Sequence, residues 1–367
     1  SKETRRLKVM KIAIRADSSL ALGSGHIMRC VTLARILVSF GYEIHFISLN
    51  LKGNMADFLK SYGFHVHLLQ SNIVKDSLSI QQLIDAIKQT IQNDAEQTTD
   101  LLKKHGPFEW IIVDHYSLDV TWENIVSECV ERIFVIDDLA NRIHNCDVLL
   151  DQNFHLNPLD RYEGKIPRKC VALLGTKYML FRSEFLNIKP RVRNGEIKRL
   201  LIFFGGSDLT NETSKTLKAL LILKRENLYI DVVLGASNPH TQEIYDLCRK
   251  IPDTKIHVQI DYMAQLMNDA DLAIGAGGAS TWERCLLGLP ALIIVLAENQ
   301  RISIEELENK EVFVNLGSHE DVDENLIFYE IDRLMNEPYL VETMGRNALE
   351  LVPHNDLFDI KDWKNIF

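Results

Sequence analysis

Twice in this chain a short apolar run ends in a glycine-rich turn that opens a helical pattern. The first instance is MKIAIRA (10–16), the loop DSSLALGSG (17–25) and then HIMRCVTLARILVSF (26–40). Ile27, Val31, Ala34, Leu37 and Val38 recur there at close to helical spacing, and Gly41 stops the pattern. A strand, EIHFISL (43–49), follows. Strand, loop, helix and strand within about 40 residues make the βαβ unit of a parallel sheet. The second instance starts at RLLIFFGG (199–206), a buried strand running into a Gly-Gly turn, with a helical pattern through Leu223. Few architectures accept that punctuation, and all of them are α/β.

Further strands are expected at WIIVD (110–114), RIFVID (132–137), DVLLD (147–151), IDVVLG (230–235), IHVQI (256–260), LAIGAGG (272–278) and within LPALIIVL (289–296). Residues 75–105, polar with spaced Leu and Ile, read as one or two surface helices. The segment LNIKPRVRNGEIK (186–198) is polar and contains a proline and a glycine, so it reads as a linker. At 367 residues the chain has room for two domains of roughly 150 residues. The expected organisation is residues 1–9 as a leader or expression remnant, 10–190 as one domain and 191–367 as a second. Each half begins with a strand leading to a glycine loop. Ligands of such sheets bind outside the carboxyl ends of the strands, so the expectation is two Rossmann-like domains facing across a cleft.

Charge narrows the partners. With 41 Lys and Arg against 51 Asp and Glu, the formal net charge is -10, which argues against nucleic acid and membrane surfaces. An anionic ligand then needs positive potential supplied locally. The six cysteines are scattered, without a CxxC pair, and read as reduced core thiols of a cytoplasmic protein. No apolar run approaches the ~20 residues of a membrane span.

The loop Gly23-Ser24-Gly25-His26 lacks the third glycine and the downstream acidic residue of a dinucleotide site, and it lacks the GK[ST] ending of a Walker loop. No organic cofactor is expected. What the loop does is set His26 in the first turn of a helix at the carboxyl edge of the sheet. A neutral imidazole there can act as a general base, and the bland alternative is a histidine that caps or packs the helix. Gly275-Ala276-Gly277-Gly278-Ala279-Ser280-Thr281-Trp282-Glu283 is the second loop. Its glycines let backbone approach an anion, its helix start offers free N–H groups, and Ser280 and Thr281 add hydroxyls, which together suit a diphosphate. Glu283 has the spacing of a capping box with Ser280 and equally suits the two hydroxyls of a ribose; spacing leaves both open. Gly205-Gly206-Ser207-Asp208 is a third turn, either a ligand contact or an N-cap by Ser207 or Asp208. Asn299-Gln300 and Asp114-His115-Tyr116 also follow strands. His26, Asp114 and His115 lack the spacing of a metal site, and no metal is expected.

In order, KIAIRAD, GSGHIMRC, IIVDHYSLD, LGTKYMLFRSEF, FFGGSDLTN and GAGGASTWE with LGLPALII and NQ resemble a known family. It comprises the UDP-sugar hydrolases of pseudaminic acid synthesis, the UDP-2,4-diacetamido-2,4,6-trideoxy-β-L-altropyranose hydrolases. The resemblance covers roughly residues 10–310, and its specific elements are the GSGHIMRC and GGAST-W-E loops together. It implies a GT-B type fold and a metal-independent hydrolase that inverts the anomeric carbon of a UDP-sugar. By that resemblance His26 is the base that activates water, and Arg15, Asp17, Gly25, Tyr116, Gly206, Ser207 and Asn299 bind substrate. Gly277, Gly278, Ser280, Thr281 and Glu283 hold the nucleotide, so the first domain would be catalytic and the second would bind UDP. The tail beyond about residue 310 carries no motif of the family.

The chemistry suits one base. UDP is a stable leaving group needing no strong general acid, unlike the departing alcohol for which ordinary glycosidases keep two carboxylates. Two other readings keep the same residues. In a GT-B glycosyltransferase His26 would deprotonate an acceptor, and a non-catalytic binding protein would hold a UDP-sugar without turnover. If His26 is structural, the base is to be sought among Asp17, Asp114 and His115.

Overall fold

A computed structural model of the chain describes residues 9–73 and 78–367. The expected leader, residue 9 excepted, and the first residues of the polar stretch from 75 lie outside the described residues. Thirteen strands are present among those described, in two parallel sheets. They are β1 Lys11–Ala16, β2 Glu43–Leu49, β3 His65–Leu69, β4 Phe108–Asp114, β5 Val130–Ile136, β6 Val148–Asp151, β7 Val171–Leu174, β8 Arg199–Phe203, β9 Tyr229–Leu234, β10 Thr254–Val258, β11 Leu272–Ala276, β12 Ala291–Val295 and β13 Phe313–Ser318. The fold is α/β throughout.

The chain divides into two compact units. The first contains residues up to Gln152, Asn157–Leu180 and Phe358–Phe367. Its sheet has the order β3-β2-β1-β4-β5-β6-β7. Pleating sends Ile12, Ile14 and Ala16 of β1 to one face and Ala13 with Arg15 to the other, and each face carries its own core. Over the first face lies the helix Gly25–Ser39, burying Ile27, Cys30, Val31, Leu33, Ala34 and Leu37, while Val38 stays exposed. Gly41 ends that helix with φ +94°, a left-handed conformation that suits glycine. The helices Ile80–Gln89 and Ile91–His105 cover the other face, with Trp122 buried beneath them.

The second unit, Asn153–Leu156 with Phe181–Leu357, has the sheet order β10-β9-β8-β11-β12-β13. In both sheets the first strand of the unit lies between its second and its fourth, the Rossmann order, whose direction of winding reverses there. The carboxyl ends of β1 and β4, and of β8 and β11, are these switch points. The glycine loops that the sequence singled out leave β1, β8 and β11.

Two boundaries differ from expectation. The segment expected as a linker at 186–198 packs onto the second unit instead. Arg193 is buried and donates to the carbonyls of Ala270, Leu287, Gly288, Met267 and Asn268, and Arg191 bonds to Asp271 and its neighbours. Guanidinium groups made the segment look solvated, yet they cap helix-end carbonyls. The division accordingly falls after Leu180 rather than near residue 190. The last ten residues belong to the first unit, where Trp363 is buried and Phe358, Ile366 and Phe367 pack on the β1 face. Tyr42 donates to the carbonyl of Phe367, and the N–H of Phe358 donates to Lys177.

Candidate active site

In the first unit β1 and β4 pair in register from Ile12–Trp110 to Ala16–Asp114, which brings the loop after β1 beside the end of β4. His26 lies in the first turn of its helix, and its side chain caps nothing. Its Nδ1 is 2.5 Å from Asp114 Oδ1. Arg29 Nη2 also approaches that nitrogen, at 3.4 Å, but the shorter contact to an anion decides the roles. Nδ1–H therefore donates to Asp114, and the lone pair sits on Nε2.

Asp114 is itself held. Arg29, one helical turn beyond His26, donates to both its oxygens, from Nε at 2.5 Å and Nη2 at 2.7 Å, and to both oxygens of Asp138 at 2.9 Å. Burial alone would raise the Asp114 carboxyl, but Arg29 and His26 outweigh it and keep it well below the usual carboxylate range. The same contest, won by Arg29, lowers Asp138. Tyr116 donates to Asp138 at 3.0 Å and meets the His26 ring edge-on, with centroids 4.4 Å apart. Two carboxylates thus face one guanidinium beside the imidazole. His26, Asp114, Tyr116, Asp17 and His115 line one small pocket, and Gly25 beside it is open, with nothing near the position of a Cβ.

Beneath this pocket lies a second network that fixes the loop. Arg15, expected to bind substrate, is fully buried, and its guanidinium is spent on Asp17 at 2.6 and 3.0 Å and on Asp94 at 2.6 and 3.2 Å. It positions Asp17 and presents no face to a ligand. Asp17 also accepts from Leu49 N–H and from His115 Nε2 at 2.7 Å. Burial would raise its carboxyl, but Arg15 and His115 outweigh that and hold it far below the usual range. His115 Nδ1 accepts from Ser117 N–H at 2.9 Å, so both ring nitrogens are committed, and burial pushes the imidazole further toward neutrality. Neither Asp17 nor His115 has a lone pair free for a base.

The second unit builds its loops differently. The helix after β11 starts at Ser280, with Ala279 in the capping position, so the capping box expected of Ser280 and Glu283 is not made. Glu283 instead pairs with Arg182 at 3.2 Å, and burial raises its carboxyl despite that partner. Gly277 is fixed by packing, since a Cβ there would lie 2.7 Å from Ile304. Gly278 and Ser280 are partly exposed, but Thr281 is turned inward, its hydroxyl accepting from Arg284 at 3.2 Å. Arg284 also donates to the Ala276 carbonyl at 2.7 Å, holding the loop from below.

In the turn after β8, Gly206 is exposed and Ser207 half-buried, while the Asp208 carboxylate accepts from the N–H groups of Glu212 and Thr213. Neither Ser207 nor Asp208 holds the N-cap position, which falls on Asn211, but the Asp208 side chain satisfies the first N–H groups of the helix Glu212–Leu223 from outside it. Gly235, at the end of β9, permits the approach of Gly206, because a Cβ would fall 1.9 Å from the Gly206 carbonyl. Asn299 is exposed in the first turn of the helix Glu298–Leu307. The expected site residues thus form two sets, one at each switch point. Sequence reasoning missed Arg29, Asp138, Arg182 and Arg284. Arg29 had a signal in its place one turn after His26 in the same motif, and Arg182 in its place within LGTKYMLFRSEF.

Residues 200–354 match the model of the Glycosyltransferase family 28 C-terminal domain. An uncharacterised protein of Methanocaldococcus jannaschii is 27% identical, over 97% of this chain and 73% of its own. The UDP-2,4-diacetamido-2,4,6-trideoxy-beta-L-altropyranose hydrolase of Campylobacter jejuni is 28% identical, over 82% of this chain and 97% of its own. Among solved structures, MurG of Acinetobacter baumannii superposes with a TM-score of 0.62 at 15% identity, covering 97% of this chain and 98% of that one. The fold is of the GT-B class. A GT-B chain carries two Rossmann-like domains, here the two units described. Among the described residues, no helix is long and apolar enough to cross a membrane.

Proposed function

We propose that this chain is a UDP-sugar-processing enzyme, and specifically a hydrolase that releases UDP from UDP-2,4-diacetamido-2,4,6-trideoxy-β-L-altropyranose or a close relative of it. The observation that carries the reading is the His26–Asp114 pair at the first switch point. Its carboxylate orients the imidazole, with Nε2 left as the base. The similarity to the Campylobacter jejuni hydrolase over nearly that protein's whole length supports the substrate class.

In this mechanism a water attacks the anomeric carbon from the side opposite UDP. His26 Nε2 takes the water proton as the new C–O bond forms. The bond from the anomeric carbon to the diphosphate oxygen breaks, and its electron pair leaves with UDP. One displacement inverts the centre. Asp114 holds the imidazolium that results, and Arg29 keeps Asp114 in place through proton uptake and release. Backbone N–H groups around Gly277 and Gly278 with the Ser280 hydroxyl meet the growing diphosphate charge, and Glu283 takes the ribose hydroxyls. Arg15 and Thr281 act from behind, as positioning residues.

The family 28 match favours one alternative, a glycosyltransferase in which His26 deprotonates a sugar or lipid hydroxyl. Incubating the protein with candidate UDP-sugars and following products by NMR separates the two. Free sugar of inverted anomeric configuration, formed without any acceptor, supports the hydrolase. UDP release that waits for an acceptor overturns it.

A further inference from the structure

At the amino-terminal edge of the first sheet, opposite the edge that bears His26, imidazoles gather around a carboxylate. β2 carries Glu43 and His45, and β3 carries His65 and His67, each pair two residues apart. Register sets His45 against His65, so strand alternation sends all four side chains to one face. His45 Nε2 lies 2.7 Å from Glu43 Oε1, and His65 Nε2 lies 3.9 Å from the same oxygen. The ligand atoms of Glu43, His45 and His65 all fall within 4.8 Å of one another. Ligands at about 2.0–2.1 Å from a tetrahedral ion stand roughly 3.4 Å apart, a value that those two separations bracket.

We propose that Glu43, His45 and His65 bind one zinc-like divalent ion, with His67 orienting His45 from behind. Two nitrogens and one oxygen, with water in the fourth position, make a common zinc set, and imidazole selects such ions over Mg²⁺. His45 Nδ1 is 3.0 Å from His67 Nε2, so once Nε2 holds the ion, Nδ1–H has its acceptor ready. The His65 side chain is 56% exposed and free to close the set. Lys11 lies 3.4 Å from Glu43 but also donates to the His105 carbonyl at 2.8 Å, so an ion can replace it at Glu43 without stranding the ammonium. β3 is the edge strand, and the ion would tie it to β2.

The test uses the full chain, stripped with chelator and dialysed. Calorimetric titration with Zn²⁺ should give one equivalent bound. Co²⁺ in its place should show tetrahedral d–d bands without a thiolate charge-transfer band, which sets the cysteines aside. His65→Ala, at an exposed position that leaves the fold intact by circular dichroism, should weaken Zn²⁺ binding at least about tenfold. His67→Ala should weaken it by about 10–100-fold while leaving one equivalent. Absence of saturable uptake, a thiolate band, or undiminished affinity in His65→Ala would overturn the site.

Discussion

His26 meets one carboxylate, and that carboxylate meets one guanidinium, so a single side chain carries the proton while its neighbours set where it points. Replacing His26 with Asn keeps a polar group but removes the base. The expected result is a fall in kcat of about 10²–10⁴-fold, with UDP affinity within a few-fold of the parent, measured by product NMR and titration calorimetry. Retention of more than about a tenth of the parent kcat would make His26 structural. His26 itself was legible in the sequence because a Gly-Ser-Gly turn after a strand leaves little choice about where the next residue goes. Asp114 was legible as an alternative base, but not as the partner of His26. Its contact to His26 spans 88 residues and depends on β1 lying beside β4, which no spacing reveals. Arg15 misled for the same reason, since its partner Asp94 lies on a helix far along the chain.

At the scale of elements, loops and helix starts divide the work between holding and binding. Glu283 shows this, because the cap it was suited for is not made and its carboxylate is left to pair with Arg182. Glu283→Gln should weaken UDP binding by about 1.5–3 kcal/mol, the range for hydrogen bonds to a charged group. Its melting temperature should change little, since an ion pair to a partly exposed arginine is worth about 1 kcal/mol at most. A large drop in melting temperature with UDP affinity intact would make its role structural.

The loop between β5 and β6 gives a pH signature of its own. His144 lies 2.7 Å from Glu123 on the helix Val120–Val126 and 3.4 Å from Asp137 after β5. Burial works against its charge, but Asp137 and Glu123 outweigh burial and raise it to about 9 from an ordinary 6.5. A raised histidine stabilises the fold fully below its unfolded value and loses that contribution as pH rises through its folded one. Stability should therefore fall from about pH 6.5 to about pH 9, by on the order of 3 kcal/mol for this group. Denaturant melts across that range should show the slope in the parent and not in His144→Gln. An equal slope in both proteins would assign it elsewhere. Strands β1, β2, β4, β5, β6 and β8 to β12 were legible, because buried parallel strands read as continuous apolar runs. β3, with two histidines in HVHLL, β7, only the four residues VALL, and β13, FVNLGS, were not.

For the whole molecule, the chemistry and the proposed ion belong to opposite edges of one sheet. Turnover should thus survive EDTA unchanged, whereas loss with chelator and recovery with Mg²⁺ or Mn²⁺ would place a metal at the diphosphate. The segment 358–367 makes a sharper structural test. Trp363→Ala should cost about 3–5 kcal/mol, as for other buried tryptophans, and the loss should fall on the first unit. Hydrogen exchange should then quicken in β1 and β4 and not in β8 and β11. Composition and motif could not foresee this return, because a short amphipathic tail looks the same whichever sheet it covers.

That return has a consequence for how the molecule comes into being. The helix that bears His26 and the strand that ends in Asp114 leave the ribosome early, yet Trp363 and Phe367, which close the core behind them, are translated only after the entire second unit. At about 5–20 residues per second, the roughly 180 residues between give the nascent first unit many seconds with one hydrophobic face unsealed. The half of the chain born first is the last to be finished.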